Sequence, residues 1–387
     1  MQYCVNPKNG DKLSILGFGA MRLNIDEQSR QKLIAYAVEN GVNYFDTAYI
    51  YPGSEAALGR ALAPGYRPRV KIATKMPHYL VNKYDDFDKI FTTQLQRLRT
   101  DYVDYYLFHT LNDAEIWQRL VGMGILKWIE ERKKQGSILN IGFSYHGGKE
   151  EFINVVDAYD WEFCLIQYNY LDEQRQAGRS GLEYAAAKGL PVMVMEPLRG
   201  GWLVDKLPKQ ARAVWDNAMP QRSPAEWGLR FVWNHPGVML LLSGMNSLQM
   251  LKENIAVADQ ARAASLSRQE LELFDQVKQI LDSKNTIPCG GCNYCLPCPQ
   301  GVDIPTCFSC YNDREIVGKI SALRGYIMQT TMKKRSLNAS NCTKCGKCEQ
   351  RCPQNIAIRK ELAKVVKALE GFYYRPLSFL LKKIMKL

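Results

Sequence analysis

Short runs of apolar, β-branched and aromatic residues recur along most of the chain. Each is followed by a stretch whose apolar positions repeat with the period of a helix. The runs that read as strands are Ser14–Phe18, Asn43–Asp46, Val70–Thr74, Tyr102–Phe108, Ile138–Phe143, Phe163–Gln167, Pro191–Met195 and Val238–Leu242. Between them, stretches such as Ser29–Glu39, Asp88–Leu98, Ile125–Lys134, Glu150–Tyr159, Leu182–Lys188 and Ala225–Trp233 read as amphipathic helices. Ahead of the first run, residues 1–13 read as a hairpin, with Asn9-Gly10 supplying a positive-φ turn.

Eight buried-type strands alternating with helices describe an α/β fold, a (β/α)8 TIM barrel of ~250 residues. A doubly wound open sheet would bring a glycine-rich dinucleotide turn after its first strand. Gly17-Phe18-Gly19 lacks the third glycine of that turn, so the barrel is the expectation. A helix over Arg268–Leu281 follows, and Asp282–Pro288 reads as a linker. The chain is therefore divided into 1–281 (barrel), 282–362 (a small, mainly α-helical domain) and 363–387 (a tail).

Composition changes the picture only at the C-terminal end. Hydrophobic content of 46% and charged content of 23% are those of an ordinary soluble globular protein. No basic-then-apolar leader is visible, and no apolar run approaches the ~20 residues of a membrane span, so the expected location is cytoplasmic. Ten of the twelve cysteines fall between Cys289 and Cys352. Without a secretion signal, such a cluster points to metal or redox chemistry rather than to disulfides. From Cys289 onward there are 17 lysines and arginines against 6 acids, +11 of the chain's +12.

The cysteines form two motifs, Cys289-x2-Cys292-x2-Cys295-x2-Cys298-Pro299 and Cys342-x2-Cys345-x2-Cys348-x3-Cys352-Pro353. The second has the spacing of bacterial ferredoxins, where three close thiolates hold one cluster and the cysteine before proline reaches the other. The expectation is two 4Fe-4S clusters with crossed ligands. Cys289, Cys292, Cys295 and Cys352 would hold one, and Cys342, Cys345, Cys348 and Cys298 the other. Two Zn(Cys)4 sites are the bland alternative, but zinc asks for neither a third thiolate in the run nor a Cys-Pro ending. Cys307 and Cys310 are left over as spare buried thiols, with a redox-active pair as the minority reading.

At barrel strand ends, where catalytic side chains sit, four residues stand out. Asp46 ends the second strand and Tyr51 follows on its loop, while Lys75 ends the third strand and His109 the fourth. Delivering hydride to a carbonyl requires a proton for the developing alkoxide. Tyrosine, with an ordinary pKa of about 10, is a weak acid until an ammonium such as Lys75 favours its anion. Asp46 would anchor the lysine and His109 would orient the substrate oxygen. Each residue alone is commonplace in packing or caps; the ordered set on three successive strand ends is not.

These stretches resemble the aldo-keto reductase family, in the form that carries a C-terminal ferredoxin-like dicluster domain. The likeness rests on Gly17-Phe18-Gly19, the run from Gly41 through Asp46 to Tyr51, Ser54-Glu55, Ile72-Ala-Thr-Lys75 and Asp101 through His109. It spans roughly residues 10–280. The resemblance implies an NAD(P)H-dependent oxidoreductase acting on an aldehyde or ketone, with Asp46, Tyr51, Lys75 and His109 as the catalytic tetrad and Tyr51 as general acid. It also implies nicotinamide contacts at Ser144 and Gln167, and adenosine-phosphate contacts at Ser243, Gly244 and Asn254. Tyr145 stands where many members have asparagine, Met195 where many have a stacking aromatic, and Met250 where NADPH-preferring members carry a basic residue. Either NADPH or NADH therefore remains open.

The rival function is an electron-transfer module that docks a ferredoxin-like partner with little carbonyl turnover. Nicotinamides deliver two electrons as hydride and clusters pass one at a time, and no flavin motif is recognisable to bridge them. The partners expected are a small-molecule carbonyl and an acidic electron-carrier protein, with no nucleic acid. In Leu377–Leu387, Leu377, Leu380, Leu381, Ile384 and Met385 form one apolar stripe with lysines beside it. A helix docked on the barrel is the favoured reading of that stripe, and membrane-surface contact the less favoured one.

Overall fold

The structure, a computed structural model, describes every residue except 24, 64, 284, 285, 290, 292, 293, 334, 353, 354, 386 and 387. It begins with an antiparallel hairpin of β1 (Tyr3–Val5) and β2 (Lys12–Ser14). The joining loop is longer than a two-residue turn. It is closed by Asn6 N–H to Asp11 O and Gly10 N–H to Asn6 O, each 2.8 Å, and Gly10 alone takes the left-handed φ, +77°. Eight parallel strands follow: β3 (Leu16–Gly19), β4 (Tyr44–Asp46), β5 (Lys71–Met76), β6 (Val103–Phe108), β7 (Ile138–Tyr145), β8 (Phe163–Gln167), β9 (Val192–Met195) and β10 (Val238–Ser243). They close into a barrel in chain order, β10 pairing with β3. Every strand lies within two or three residues of the run that predicted it.

The barrel interior is a packed core, because inward side chains from successive strands meet in layers. Tyr44, Ala73, Tyr105, Leu107, Phe163, Leu165, Met193 and Leu240 share it with Leu13 of the hairpin. Tyr105 meets Tyr44 and Phe163 edge-on, with ring centroids 5.2 and 5.0 Å apart. Gly142 lies beside this cluster, where an added Cβ would sit 2.5 Å from Phe163 O and 2.6 Å from its ring, so only glycine fits. The hairpin covers the end where the strands begin: Tyr105 donates to Asp11 at 2.8 Å, and Asn9 donates to Asn140 at 2.8 Å. The opposite end is left for the loops that leave each strand.

Caps explain where sequence periodicity placed helix starts late. Asp26 accepts from Ser29 N–H at 2.9 Å and begins a helix at Glu27. Ser223 accepts from Glu226 N–H, with Pro224 at the first helical position where its missing N–H costs nothing.

The chain divides into two compact units, residues 1–207 with 212–274 and residues 208–211 with 275–387. The division falls inside the helix Arg268–Asp282, short of the 281/282 boundary read from the sequence. Phe274 joins an aromatic cluster with Tyr170, Trp215 and Phe231, which draws the start of that helix into the first unit. The second unit is helical: Ile304–Ile316, Lys319–Tyr326, a π-helical turn at Ile327–Thr331, Ile358–Leu369 and Tyr374–Met385. Its core gathers Ile287, Val302, Phe308, Tyr326, Leu362, Val365 and Leu369. The boundary read at 362/363 lies within the helix Ile358–Leu369, both halves of which are buried in that core. The predicted apolar stripe of residues 377–385 is split. Leu381 packs on this unit's core while Leu380 is 54% exposed; the side chains of Ile384 and Met385 lie outside what the structure describes. Among the described residues no helix is long and apolar enough to cross a membrane.

Candidate active site and cysteine-lined cavity

At the loop end of the barrel, the register of β4, β5 and β6 sets Asp46, Lys75 and His109 side by side. Asp46 pairs in register with Ala73, and Lys75 with Leu107. The loop after β4 keeps bonding to β5, through Thr47 N–H to Ala73 O and Tyr49 N–H to Lys75 O. This carries Tyr51 back over the lysine.

Lys75 Nζ donates to Asp46 Oδ1 at 2.5 Å and to Thr47 O at 2.7 Å, and lies 5.2 Å from the centre of the Tyr51 ring. The His109 ring meets that of Tyr51 edge-on, centroids 5.8 Å apart. Lys75 and Asp46 are buried and Tyr51 is half-buried. Burial opposes charge on Lys75, but the Asp46 carboxylate and its hydrogen bond outweigh it and hold the ammonium above its ordinary value. Burial also lifts the Asp46 carboxyl, against the pull of Lys75. With the two groups 2.5 Å apart, the ionised pair is the state that both satisfies the ammonium and relieves the carboxylate. Burial, and then the Lys75 charge, push His109 well below 6.5, so the imidazole is neutral. Among the described residues, Asp46 Oδ2 and His109 Nδ1 are buried without a hydrogen-bond partner. Unspent polar atoms of this kind mark a site made to receive something polar.

Residues that periodicity did not single out support the four. Glu55, 1% exposed, accepts from Thr74 at 2.7 Å and from Gln94 at 2.9 Å, and Gln94 also donates to Lys75 O at 3.1 Å. Ser54 bonds Thr47 at 2.7 Å and Ala20 O at 2.9 Å. The Ser54-Glu55 pair could be quoted from the sequence. Gln94 could not, because its partners lie 19 and 39 residues away.

The expected cofactor contacts fall on neighbouring strand ends. Ser144 Oγ accepts from Thr110 N–H at 2.8 Å, which hooks the turn after β6 and holds Thr110 at φ +56°. Its own O–H is left to donate. Gln167 donates to Asp172 at 2.9 Å and accepts from Gln176 at 2.7 Å, and its amide has one further N–H and one further lone pair. Asp172, 1% exposed, is paired with Arg199 at 3.2 Å and Arg175 at 3.3 Å. Burial opposes the Asp172 charge, yet the two guanidiniums hold its carboxyl below the ordinary range. Ser243 accepts from Asn254 at 2.9 Å, and Gly244 is exposed on the loop that enters the helix Leu248–Gln260. The N-terminal turn of that helix offers N–H groups and a positive dipole end, which suit a phosphate.

In the second unit, Cys295, Cys298, Cys342, Cys345 and Cys348 line one cavity of about 190 Å³, together with Lys347, Arg351 and Arg359. Cys298 thus shares a cavity with the three thiols of the second motif, and so does Cys295, which the expected crossed set gives to the other cluster. Lys344 N–H points at Cys342 Sγ at 3.4 Å from the turn made by Lys344 (φ +60°) and Gly346 (φ +77°). Among the described residues no three metal-binding side chains converge on a single-ion point. The thiols stand around a space, a donor set that fits a polynuclear cluster. Cys289 and Cys352 pack against the same unit's core, and Cys292 lies outside the described residues. Cys307 and Cys310 are buried one turn apart in the helix Ile304–Ile316. Burial pushes the Cys307 thiol well above its ordinary value, which makes it unreactive.

Both parts of the chain are similar to known proteins. The model of the aldo/keto reductase family matches residues 15–279, and that of a 4Fe-4S dicluster domain matches residues 288–357. An aldo-keto reductase of Mycobacterium sp. (strain MCS) is 36% identical over 211 residues, 52% of this chain and 68% of that protein. The uncharacterised oxidoreductase YqkF of Bacillus subtilis (strain 168) is 24% identical over 286 residues, 65% of this chain and 89% of that protein. An aldo-keto reductase from Klebsiella pneumoniae, solved in complex with NADPH, superposes with a TM-score of 0.60 at 22% identity. That match covers 72% of this chain and 95% of the other.

Proposed function

The chain belongs to the aldo/keto reductase family, and we propose on that premise that it reduces an aldehyde or ketone with Tyr51 as the proton donor. The observation that carries this reading is the buried Lys75–Asp46 pair set 5.2 Å from the Tyr51 ring, with a neutral His109 beside it. A nicotinamide cofactor, NADPH or NADH, supplies the hydride when bound. Ser144 and Gln167 would hold its carboxamide with the hydrogen-bonding capacity they have left. Ser243, Gly244 and Asn254 would hold the adenosine-phosphate end at the start of the helix Leu248–Gln260. The rest of the chemistry belongs to the chain. Asp46 keeps Lys75 charged, and the ammonium favours the tyrosinate that remains once Tyr51 gives its proton to the alkoxide oxygen. His109, held neutral, is free to donate a hydrogen bond to the same oxygen and orient it.

The cysteine-lined cavity supports one 4Fe-4S cluster on Cys298, Cys342, Cys345 and Cys348. The remaining motif residues, Cys289, Cys292, Cys295 and Cys352, would hold a second. Such clusters pass single electrons, so their turnover is separate from the hydride step and needs a carrier. Cys345, Lys344, Lys347 and Arg351 are all exposed, a surface suited to an acidic carrier protein.

The test is Tyr51→Phe, assayed by nicotinamide oxidation against a panel of aldehydes and ketones. The rate should fall by about 10²–10⁴ with nicotinamide affinity nearly unchanged. Parental activity in the variant would sink the assignment.

A further inference from the structure

The C-terminal end carries large apolar side chains that the fold leaves in water. Phe372 is 94% exposed, Phe379 71%, Leu380 54% and Tyr373 42%. They are not scattered. The helix Tyr374–Met385 turns one side to its unit's core with Tyr374, 3% exposed, and Leu381. The inward side is also polar-satisfied, since the Tyr374 hydroxyl is hydrogen-bonded by Asn338 and Thr331. At 3.6 residues per turn, Pro376, Phe379 and Lys383 then fall on the face opposite Tyr374 and Leu381, with Leu380 beside them, and Phe372 and Tyr373 stand in the turn that leads into the helix. Lys383 is exposed at the end of that row, and Lys382, beside it, reaches Ser336. After Glu370 the chain contains four basic residues and no acidic one.

We propose that this face is a docking surface for an anionic lipid bilayer, with Phe372, Phe379 and Leu380 entering the headgroup region and Lys383 meeting lipid phosphates. Two observations select lipid over a protein partner, and a third sets how the helix lies. First, the exposed apolar groups are confined to one short helix and the turn before it, which a fluid interface can envelop but which offers a protein little complementary area. Second, the charge is of one sign, so any acidic lipid surface attracts it without needing a matched pattern; each Lys or Arg near such a surface contributes about 1 kcal/mol. Third, a helix of 12 residues is about 18 Å long, too short to span a hydrocarbon core of about 30 Å, so it lies on the surface. None of the residues assigned to carbonyl reduction belongs to this face, and reduction in solution should not depend on it.

The experiment is co-sedimentation of the full, anaerobically prepared chain with vesicles, either pure phosphatidylcholine or equal parts phosphatidylcholine and phosphatidylglycerol, at low and high salt. The parent should pellet with the anionic vesicles at low salt and be largely released at high salt. Phe372→Ser/Phe379→Ser should weaken the partition at least tenfold while keeping the parent's iron content, thermal transition and solution activity. Lys383→Glu should weaken it on the anionic vesicles only. A parent that stays in the supernatant overturns the proposal, as does a double variant that binds as the parent does. It also falls if the parent runs as a dimer that the double variant makes monomeric, because the row is then covered by a second copy. Phenylalanine-dependent binding to an acidic ferredoxin without vesicle binding would overturn it equally.

Discussion

Asparagine at position 46 keeps the shape of the Asp46 side chain and removes its charge. Asp46 and Lys75 are 6% and 1% exposed, so Asp46→Asn strands an ammonium in the interior with only neutral acceptors such as Thr47 O. Removing one partner of a buried pair costs about 3–5 kcal/mol. At roughly 2–4 °C per kcal/mol for a unit of this size, Tm should fall by roughly 6–20 °C at neutral pH. The pH dependence has a definite sign. In the parent, Lys75 titrates above its unfolded value near 10.4, so its contribution is complete below that pH and is lost as pH rises through the folded value. In the variant, burial without the carboxylate pushes Lys75 down instead. The deficit relative to the parent should therefore shrink as pH is raised and the lysine sheds its proton. Thermal unfolding between pH 6 and 10 measures this. Asp46→Asn/Lys75→Met, which leaves no buried charge, should recover most of the stability and none of the activity. The reasoning is refuted if the single variant unfolds with the parent at pH 7, or if the double variant is no more stable than the single.

Iron and acid-labile sulfide should each be near eight per chain, from two four-iron clusters. Cys298→Ser should disturb the cluster of the second motif and lower both, whereas Cys310→Ser, on a buried helix position, should leave them unchanged. Stoichiometric zinc without sulfide would contradict this. His109, and His78 with its pKa pushed down to about 4 by burial, are neutral in the fold but titrate near 6.5 when unfolded. The unfolded chain then binds more protons below that pH, and each histidine should cost about 2 kcal/mol of stability by pH 5. His78→Gln should flatten that acid limb, and kcat/KM should show no fall centred near 6.5. Asp172→Asn should leave the half-buried Arg199 and Arg175 with less countercharge and loosen Gln167. It should lower stability by about 3–5 kcal/mol and raise KM for the nicotinamide more than it lowers kcat; a variant matching the parent in both would remove Asp172 from the site.

The barrel was legible in the chain because each strand is buried on both faces and so reads as a continuous apolar run, Ile138–Phe143 or Val238–Leu242 for example. The four residues at strand ends were legible because a strand's end is a local feature and the chemistry of Asp, Tyr, Lys and His is distinctive. The cysteine motifs were legible for the same reason, since spacing along a loop limits which thiols can surround one object. What depends on two distant segments meeting was not. Gln94 beneath Lys75 and Asp172 between two arginines both rest on chain closure that no window of sequence contains. The C-terminal stripe shows the limit most plainly. Periodicity correctly marks Leu377, Leu380 and Leu381 as one side of a helix, but which side meets a core is decided by what already fills that core. In this fold Tyr374 and Leu381 occupy the inner face, and Phe379 and Leu380 are left outside.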